Sequence, residues 1–573
     1  MRETTEPAGN RSGAELLVDA LTEYGVTHVF GNPGTTELPV LRALEGGAVD
    51  YVLTLHEDIA VGMAAGYACA QRYRARRDPS VIPVGVANLH LVAGVAHGLG
   101  NLYNAAIMGL PLVVTAGNHS TTTGHEEPVL GGDLVGLTDQ FTKWSAEVRH
   151  VDALPVMLRR AFRTALTTPS GPVFLSLPLD VMTAETDARP ERLGTIPNAG
   201  RGDPERIEDA ADLLVAAEDP VLLVGDGVAR CGAVEAAVTL AEASGARVHG
   251  EILASEVSFP TDHDQWVSYL PLMDEERARA SLDTDTILMV GCSTNTPFMR
   301  LGERIVAPAA TCIHVTDDAS RVGRRHPTDT AIVGDVGLVM SELALRLREC
   351  LSEGERAERT ARAVGADRPV DRNLQTLHDG GNDSEGVSNA ELVDAIRVVG
   401  GDALVVDETL TSKRVMLERW PLAPGQYVSN KGLGLGFGLP AAVGAAMAEA
   451  DAPDGRPVIG FVGDGSSLYY PHTLYTASRY GVPLTVVVVN NGNYRVLEEN
   501  YVEMFGDRDA PDLSHLRFEP PVEFSPMSAG YGATARTVST PEELERVLGS
   551  SLAAPGPVVV DVAVHDEPLQ ADE

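Results

Sequence analysis

Short apolar runs alternating with alanine-rich helical stretches constrain the fold of this chain more than any other feature. The segment THVFGNPGTTELPVLRAL reads as strand, Gly/Pro turn and helix, and RPVIGFVGDGSSLYY followed by PLTVVVVNNGNY reads the same way near the other end. This is the pattern of parallel α/β units, in which each helix crosses back over the sheet to the next strand. Two weakly hydrophobic stretches rich in proline, glycine and charge, 185–206 and 351–388, interrupt it. The 573 residues are too many for one core. The expected architecture is three Rossmann-like parallel-sheet domains, at 1–188, 204–350 and 386–573.

Val-Gly-Asp-Gly occurs twice, at 224–227 and 462–465, each time closing an apolar run. A diphosphate held through a divalent cation needs hard oxygen ligands and backbone N–H donors converging from two loops. The second copy offers both. Asp464 ends a strand, and Gly465 and Ser466 open a helix. A second strand then ends in Asn490-Asn491-Gly492-Asn493, twenty-seven residues after Asp464. One right-handed strand–helix–strand unit places both strand ends on the same sheet edge. Asp464, Asn491 and the backbone carbonyl of Asn493 are therefore expected to ligate one Mg²⁺. Twenty-seven residues after Asp226 the chain reads GEILASE, with no amide pair and no polar strand end. That copy reads as a strand-to-helix turn, with nucleotide binding as the alternative.

The chain carries 81 acidic against 44 basic residues, a formal net charge of −37, and only three lysines: Lys143, Lys413 and Lys431. Acids spread along the whole length repel one another at low salt, and concentrated salt screens them. This reads as adaptation to a salty cytoplasm, against the plainer reading of an acidic mesophilic enzyme. The charge excludes a nucleic-acid partner, since no basic patch exists. No apolar run is long enough for a bilayer, and the first residues lack a secretory segment, so a cytoplasmic protein is expected. Cys69, Cys231, Cys292, Cys312 and Cys350 form no CxxC pair and are expected to be buried free thiols.

GDGSSLYYPHTLYTASRYGVPLTVVVVNNGNY, LTLHEDIAVGMAAGYA and GLGLGFGLPAAVGAA together resemble the thiamine-diphosphate-dependent 2-oxo acid decarboxylases and carboligases, over nearly the whole chain and in their domain order. That family implies pyrimidine-binding, central and diphosphate-binding domains, with thiamine diphosphate and Mg²⁺ as cofactors. The resemblance maps its catalytic glutamate onto Glu57. It places Leu435 where an apolar side chain wedges the cofactor into a bend, and the Leu433 carbonyl near the 4′-amino group. Gly465, Ser466 and Tyr494 fall in the diphosphate motif. Such a carboxyl works from an apolar pocket, where burial raises its pKa. YVLTLHE is an apolar run ending in Glu57, although most acids in this chain are surface acids.

Within the family, VFGNPGTTELP and NLHLVAG parallel benzoylformate decarboxylase, placing Thr35 at the substrate carboxylate and His90 as an active-site histidine. Read without the family, His90 at a strand end is equally a structural residue. Acetolactate synthases usually carry Gly-Pro-Gly in that second segment, and it is absent here. A second, central-domain histidine of the decarboxylase has no counterpart in 291–304, with His472 and His119 as possible substitutes. Without one, carboligation would compete with protonation after CO₂ loss. The substrate pocket is expected to include Met108, Phe298, Val496 and Leu497. No FAD is expected. The resemblance implies a small 2-oxo acid substrate and a homodimer or homotetramer in which Glu57 of one subunit faces Asp464 of another. The alternatives are an acetolactate synthase-like carboligase and a nucleotide- or acyl-CoA-binding α/β protein with a vestigial thiamine site.

Overall fold

The computed structural model describes residues 10–272, 274–293, 304–365, 386–505 and 512–565. Phe298 and most of 291–304 lie outside them. Three six-stranded sheets, each wholly parallel, follow one another along the chain. The first comprises β1 (His28–Gly31), β2 (Asp50–Leu53), β3 (Gly85–His90), β4 (Leu112–Asn118), β5 (Ser145–Glu147) and β6 (Val173–Pro178). Its spatial order is β2-β1-β3-β4-β6-β5. The second comprises β7 (Pro220–Val224), β8 (Arg247–Gly250), β9 (Trp266–Tyr269), β10 (Thr286–Val290), β11 (Thr311–Thr316) and β12 (Thr330–Val333). Its order is β9-β8-β7-β10-β11-β12. The third comprises β13 (Leu404–Glu408), β14 (Tyr427–Ser429), β15 (Val458–Gly463), β16 (Thr485–Asn490), β17 (Thr534–Val538) and β18 (Val558–Ala563). Its order, β14-β13-β15-β16-β18-β17, repeats that of the first sheet. Strands such as PVLLV and TVVVVN are buried along nearly their whole length, because helices cover both faces.

Strand order decides where ligands can sit. Open parallel sheets bind them beyond the carboxyl ends of the strands, where the order reverses. The reversal lies between β1 and β3 in the first sheet, β7 and β10 in the second, and β13 and β15 in the third. The residues at or just past those ends are the Gly-Asn-Pro-Gly turn and His90, then Asp226 and Gly291, then Glu408 and Asp464.

The first and third domains pack on each other through α1 (Glu57–Ala75) and α3 (Gly438–Ala450); in the central domain the short α2 (Asp226–Arg230) follows β7. Both long helices are rich in alanine and glycine, and that composition sets their approach. A Cβ on Gly66 would collide with the Ala441 carbonyl, and one on Gly444 with that of Met63. The apolar core built around this contact runs from Phe30 through Met63 and Ala441 to Val559, joining both domains in one cluster. Two of the five thiols depart from expectation: Cys231 and Cys350 are exposed, each following the last helical residue or ending a helix at the surface, whereas Cys69, Cys292 and Cys312 are buried. Among the described residues no helix is long and apolar enough to cross a membrane.

Candidate active site

At the reversal point of the third sheet, α4 (Asp464–Ser467) begins directly from β15. The Asp464 carboxylate accepts the backbone N–H groups of Gly465 at 2.7 Å, Gly492 at 2.6 Å and Asn491 at 3.1 Å. The Asn491 side-chain oxygen accepts the Asn493 N–H at 3.2 Å. The strand–helix–strand unit thus brings the two predicted loops together. Burial pushes the Asp464 carboxyl up to about 6, although the three N–H donors pull the other way. The Tyr494 ring lies across Gly465, where a Cβ would come within 2.6 Å of it. Ser466 is buried.

The residues fit a divalent cation bearing a diphosphate. All three expected ligands are hard oxygens, as Mg²⁺ requires. The side-chain oxygen of Asn493 is itself buried and has no hydrogen-bond partner among the described residues, which is costly unless something fills the place.

Beside this pair of loops, the segment 430–437 carries Leu433 and Leu435. Leu433 has φ of 59°, a left-handed conformation that costs a non-glycine residue about 1–2 kcal/mol. It persists because the segment is tied at many points. The Asn430 side chain accepts from the N–H groups of Gly432 and Leu433 and donates to Glu408 and the Gly434 carbonyl. Asn104 both donates to and accepts from Gly434. Glu408, at the end of β13, accepts the first N–H groups of α3 from Phe437 and Gly438. Burial raises its carboxyl to about 7. Sequence reading missed Glu408, because nothing local distinguishes it from the other 80 acids.

Glu57 opens α1 and is buried, with 7 % of its surface exposed. One carboxylate oxygen lies 3.2 Å from His97 Nδ1. The His97 ring stacks on that of His56, and the edge of His472 meets His56 with centroids 6.1 Å apart. His56, Glu57 and His97 present ligand atoms within 4.8 Å of one another. Asp58, next along, accepts Tyr470 Oη and the Asn101 N–H, and burial raises it to about 6. Of the two substitute histidines, His472 sits beside this group, whereas His119 bonds the Val129 carbonyl elsewhere. Neither His56 nor His97 was singled out from the sequence.

At the first sheet's reversal point, His90 Nδ1 lies 2.7 Å from Glu37 Oε2 and 3.1 Å from Thr36 Oγ1. Glu37 is buried and also accepts the N–H groups of Gly34 and Gly117. A carboxylate already accepting from backbone donors assigns the proton to His90 Nδ1, which leaves Nε2 as the free ring nitrogen. Glu37 was likewise missed, since its partner is 53 residues away. Thr35 is exposed on the same turn, and it is its neighbour Thr36 that bonds His90. Val496 and Leu497 begin α5 (Arg495–Phe505), half-buried and exposed respectively. Met108, at the apolar end of its helix, is buried in the shared core.

The central Gly-Asp-Gly is the strand-to-helix turn expected of it, β7 passing through Gly225 into α2, but it carries more than a turn. The strand beyond it, β8, ends at Gly250 and is followed directly by Glu251, so a polar side chain stands at that strand end after all. Lys431, from the segment that carries Leu433, places its ammonium 2.5 Å from Asp226 and 2.7 Å from Glu251. The reversal point of the central sheet, where such a fold would hold a nucleotide, holds this ion cluster.

Family comparisons agree with the order of these sites. Residues 11–141 match the thiamine pyrophosphate enzyme N-terminal TPP binding domain, 207–343 its central domain and 411–562 its C-terminal TPP binding domain. Benzoylformate decarboxylase of Pseudomonas aeruginosa is 32% identical over 552 residues, spanning 95% of this chain and 97% of the relative. The chain belongs to the thiamine pyrophosphate enzymes. Among its relatives in that family, a probable acetolactate synthase large subunit of Methanocaldococcus jannaschii is 27% identical, over 98% of this chain and 92% of its own. The solved thiamine diphosphate-dependent 4-hydroxybenzoylformate decarboxylase of Rhodococcus jostii RHA1 superposes with a TM-score of 0.82 at 30% identity, covering 97% of this chain and all of that one. The benzoylformate decarboxylase of Polynucleobacter necessarius gives 0.85 at 25% identity, covering 97% and 99%. This thiamine pyrophosphate enzyme is thus related to both benzoylformate decarboxylases and acetolactate synthases.

Proposed function

We propose that this enzyme removes CO₂ from a small 2-oxo acid without oxidation, in the manner of benzoylformate decarboxylase, using thiamine diphosphate and Mg²⁺. The observation that carries the reading is the Glu37–His90 pair at the first sheet's reversal point, in a chain whose third-sheet reversal point has the oxygen ligands for a metal diphosphate. When bound, thiamine diphosphate supplies a nucleophilic carbon and accepts the electrons that CO₂ leaves behind. Asp464, Asn491 and Asn493 would hold the Mg²⁺, with Gly465, Ser466 and Tyr494 around the diphosphate. Leu433 and Leu435 would face the ring end of the cofactor, and Glu57 would hold a proton at its pyrimidine.

His90 has one ring nitrogen fixed by Glu37 and the other free, the arrangement of a group that moves a proton at Nε2. Thr35 would meet the substrate carboxylate, with Val496 along the pocket. The acetolactate synthase-like reading, ligation to a second carbonyl compound, keeps one specific support: residues 291–304 contain no histidine. An assembly of two or four chains, a cytoplasmic location and tolerance of high salt complete the proposal. The last rests on the −37 charge.

The test is a panel of benzoylformate, pyruvate and branched 2-oxo acids, with and without an added aldehyde, scored for CO₂ and for 2-hydroxyketones. Benzoylformate turnover to aldehyde and CO₂ supports the decarboxylase. Ligation products from pyruvate alone would favour the synthase-like reading, and no turnover of any 2-oxo acid would contradict both.

A further inference from the structure

Asp226, Glu251 and Lys431 belong to no cofactor contact in the reading above, yet all three are almost wholly buried, at 1% exposure or less for each side chain. Resting on that reading, we propose that they form an anchor through which the central domain positions the cofactor-facing segment 430–437. Lys431 acts from within the segment, and Asp226 and Glu251 grip it from the central domain.

The receptor for the ammonium is held by central-domain donors independent of Lys431. Asp226 accepts the N–H groups of Ser255 and Glu256 and the Ser255 hydroxyl. Glu251 accepts the N–H of Asp226 itself and that of Ser293. Both carboxylates are thereby fixed by central-domain donors at the sheet's reversal point. Burial alone would raise the Asp226 carboxyl, but the ammonium outweighs it and holds the group below its ordinary range.

The same central-domain stretch is stitched to both neighbouring domains. Ser255 accepts through its carbonyl from Ser429 N–H, and Lys413 donates to the Ala254 carbonyl and to Ser429. Glu256 accepts from Arg72 and Tyr73 near the end of α1, the helix that Glu57 opens.

Residue choice points the same way. The chain uses arginine almost everywhere, and two of its three lysines lie at this one seam, Lys431 buried and Lys413 half-buried. A compact ammonium turns its three donors freely toward two converging carboxylates, whereas arginine presents a planar fork. Buried ion clusters add little net stability over apolar packing, and their best-attested use is to fix register. Register is what this segment needs. Lys431 precedes Leu433 by two residues and Leu435 by four, and the intervening backbone is already tied to Asn430 and Asn104. Fixing Lys431 therefore fixes where Leu433, in its left-handed conformation, presents its carbonyl.

The experiment compares Lys431→Met, Asp226→Asn and Glu251→Gln with wild type, each saturated with thiamine diphosphate and Mg²⁺ below its unfolding range. Hydrogen–deuterium exchange at the thiazolium C2 position is read by quenched NMR, and cofactor affinity by calorimetry. Lys431→Met is expected to keep near-wild-type affinity, because the diphosphate end is held elsewhere, while exchange slows about 10²-fold, as for a displacement near 1 Å. The two carboxamide variants, each keeping one carboxylate for the ammonium, are expected to slow exchange less and to remain available if Lys431→Met does not fold. Wild-type exchange in the folded variants, with lowered stability alone, would overturn the positioning role. Failure of the wild type to bind thiamine diphosphate or to exchange C2 would overturn the functional reading itself, and the anchor with it.

Discussion

Replacing Gly34 by alanine tests the role of His90 with little other disturbance. Gly34 has φ of −125° and ψ of −160°, extended backbone that alanine adopts without strain. The added Cβ, however, would overlap the His90 imidazole at three ring atoms, well inside the ~3.5–4 Å of ordinary carbon contact. The ring must retreat by about 1 Å, and its 2.7 Å bond to Glu37 breaks. A hydrogen bond to a charged group contributes about 1.5–3 kcal/mol. Glu37 keeps Gly34, Gly117 and Thr36 as donors, so the stability loss should stay near the lower end. The catalytic loss should be larger. A 1 Å misplacement lowers turnover by about 10²-fold, close to 2.7 kcal/mol of barrier. The assay is steady-state CO₂ release from benzoylformate, with thiamine diphosphate affinity measured in parallel. We expect kcat to fall about 10²-fold with affinity unchanged. Gly124→Ala, where a Cβ would meet nothing within 4 Å, is the control and should be silent. A folded Gly34→Ala enzyme with wild-type kcat would refute the assignment of His90 to proton handling.

Five further outcomes follow from the sites and from the charge of the chain. Glu57→Gln should bind cofactor but lose about 10²–10⁴-fold in activity, with C2 exchange slowed in parallel. Because burial raises Asp464 to about 6 and metal needs the carboxylate, Mg²⁺-dependent cofactor retention should fall about tenfold per pH unit below that value and be flat above it. In metal-free protein the sign reverses for stability: the folded state binds this proton more tightly than the unfolded chain, so this group's contribution declines as pH rises from about 4 to about 6, seen by denaturant titration. Asp226→Ala, which leaves Lys431 with one carboxylate, should destabilise the fold by about 3 kcal/mol in the same assay. Stability and activity should both rise with salt over the molar range, and a maximum at low ionic strength would count against the charge-repulsion argument.

The fold class was legible because it is written in local periodicity: short apolar strands such as TVVVVN, helices of alanine and glycine, and turns of glycine. The Asp464–Asn491 pairing was legible for the same reason, since one strand–helix–strand unit fixes it. The partners that make each site specific were not. Glu37 reaches His90 across 53 residues, Lys431 reaches Asp226 across 205, and Glu408 reaches its helix N-terminus across 29 or 30. Choosing one carboxylate among 81 needs the tertiary contact itself. The central Gly-Asp-Gly shows the limit clearly. Its neighbouring residues carry no sign of the ammonium that meets it, because Lys431 comes from another domain.

The most direct test of the central claim is a calorimetric titration of thiamine diphosphate into metal-free protein, with and without Mg²⁺, for the wild type and Asp464→Ala. The account predicts tight binding by the wild type only when Mg²⁺ is present, and none by the folded Asp464→Ala variant under either condition. Equal, Mg²⁺-independent binding by both proteins would contradict the assignment of the second Gly-Asp-Gly as the diphosphate site.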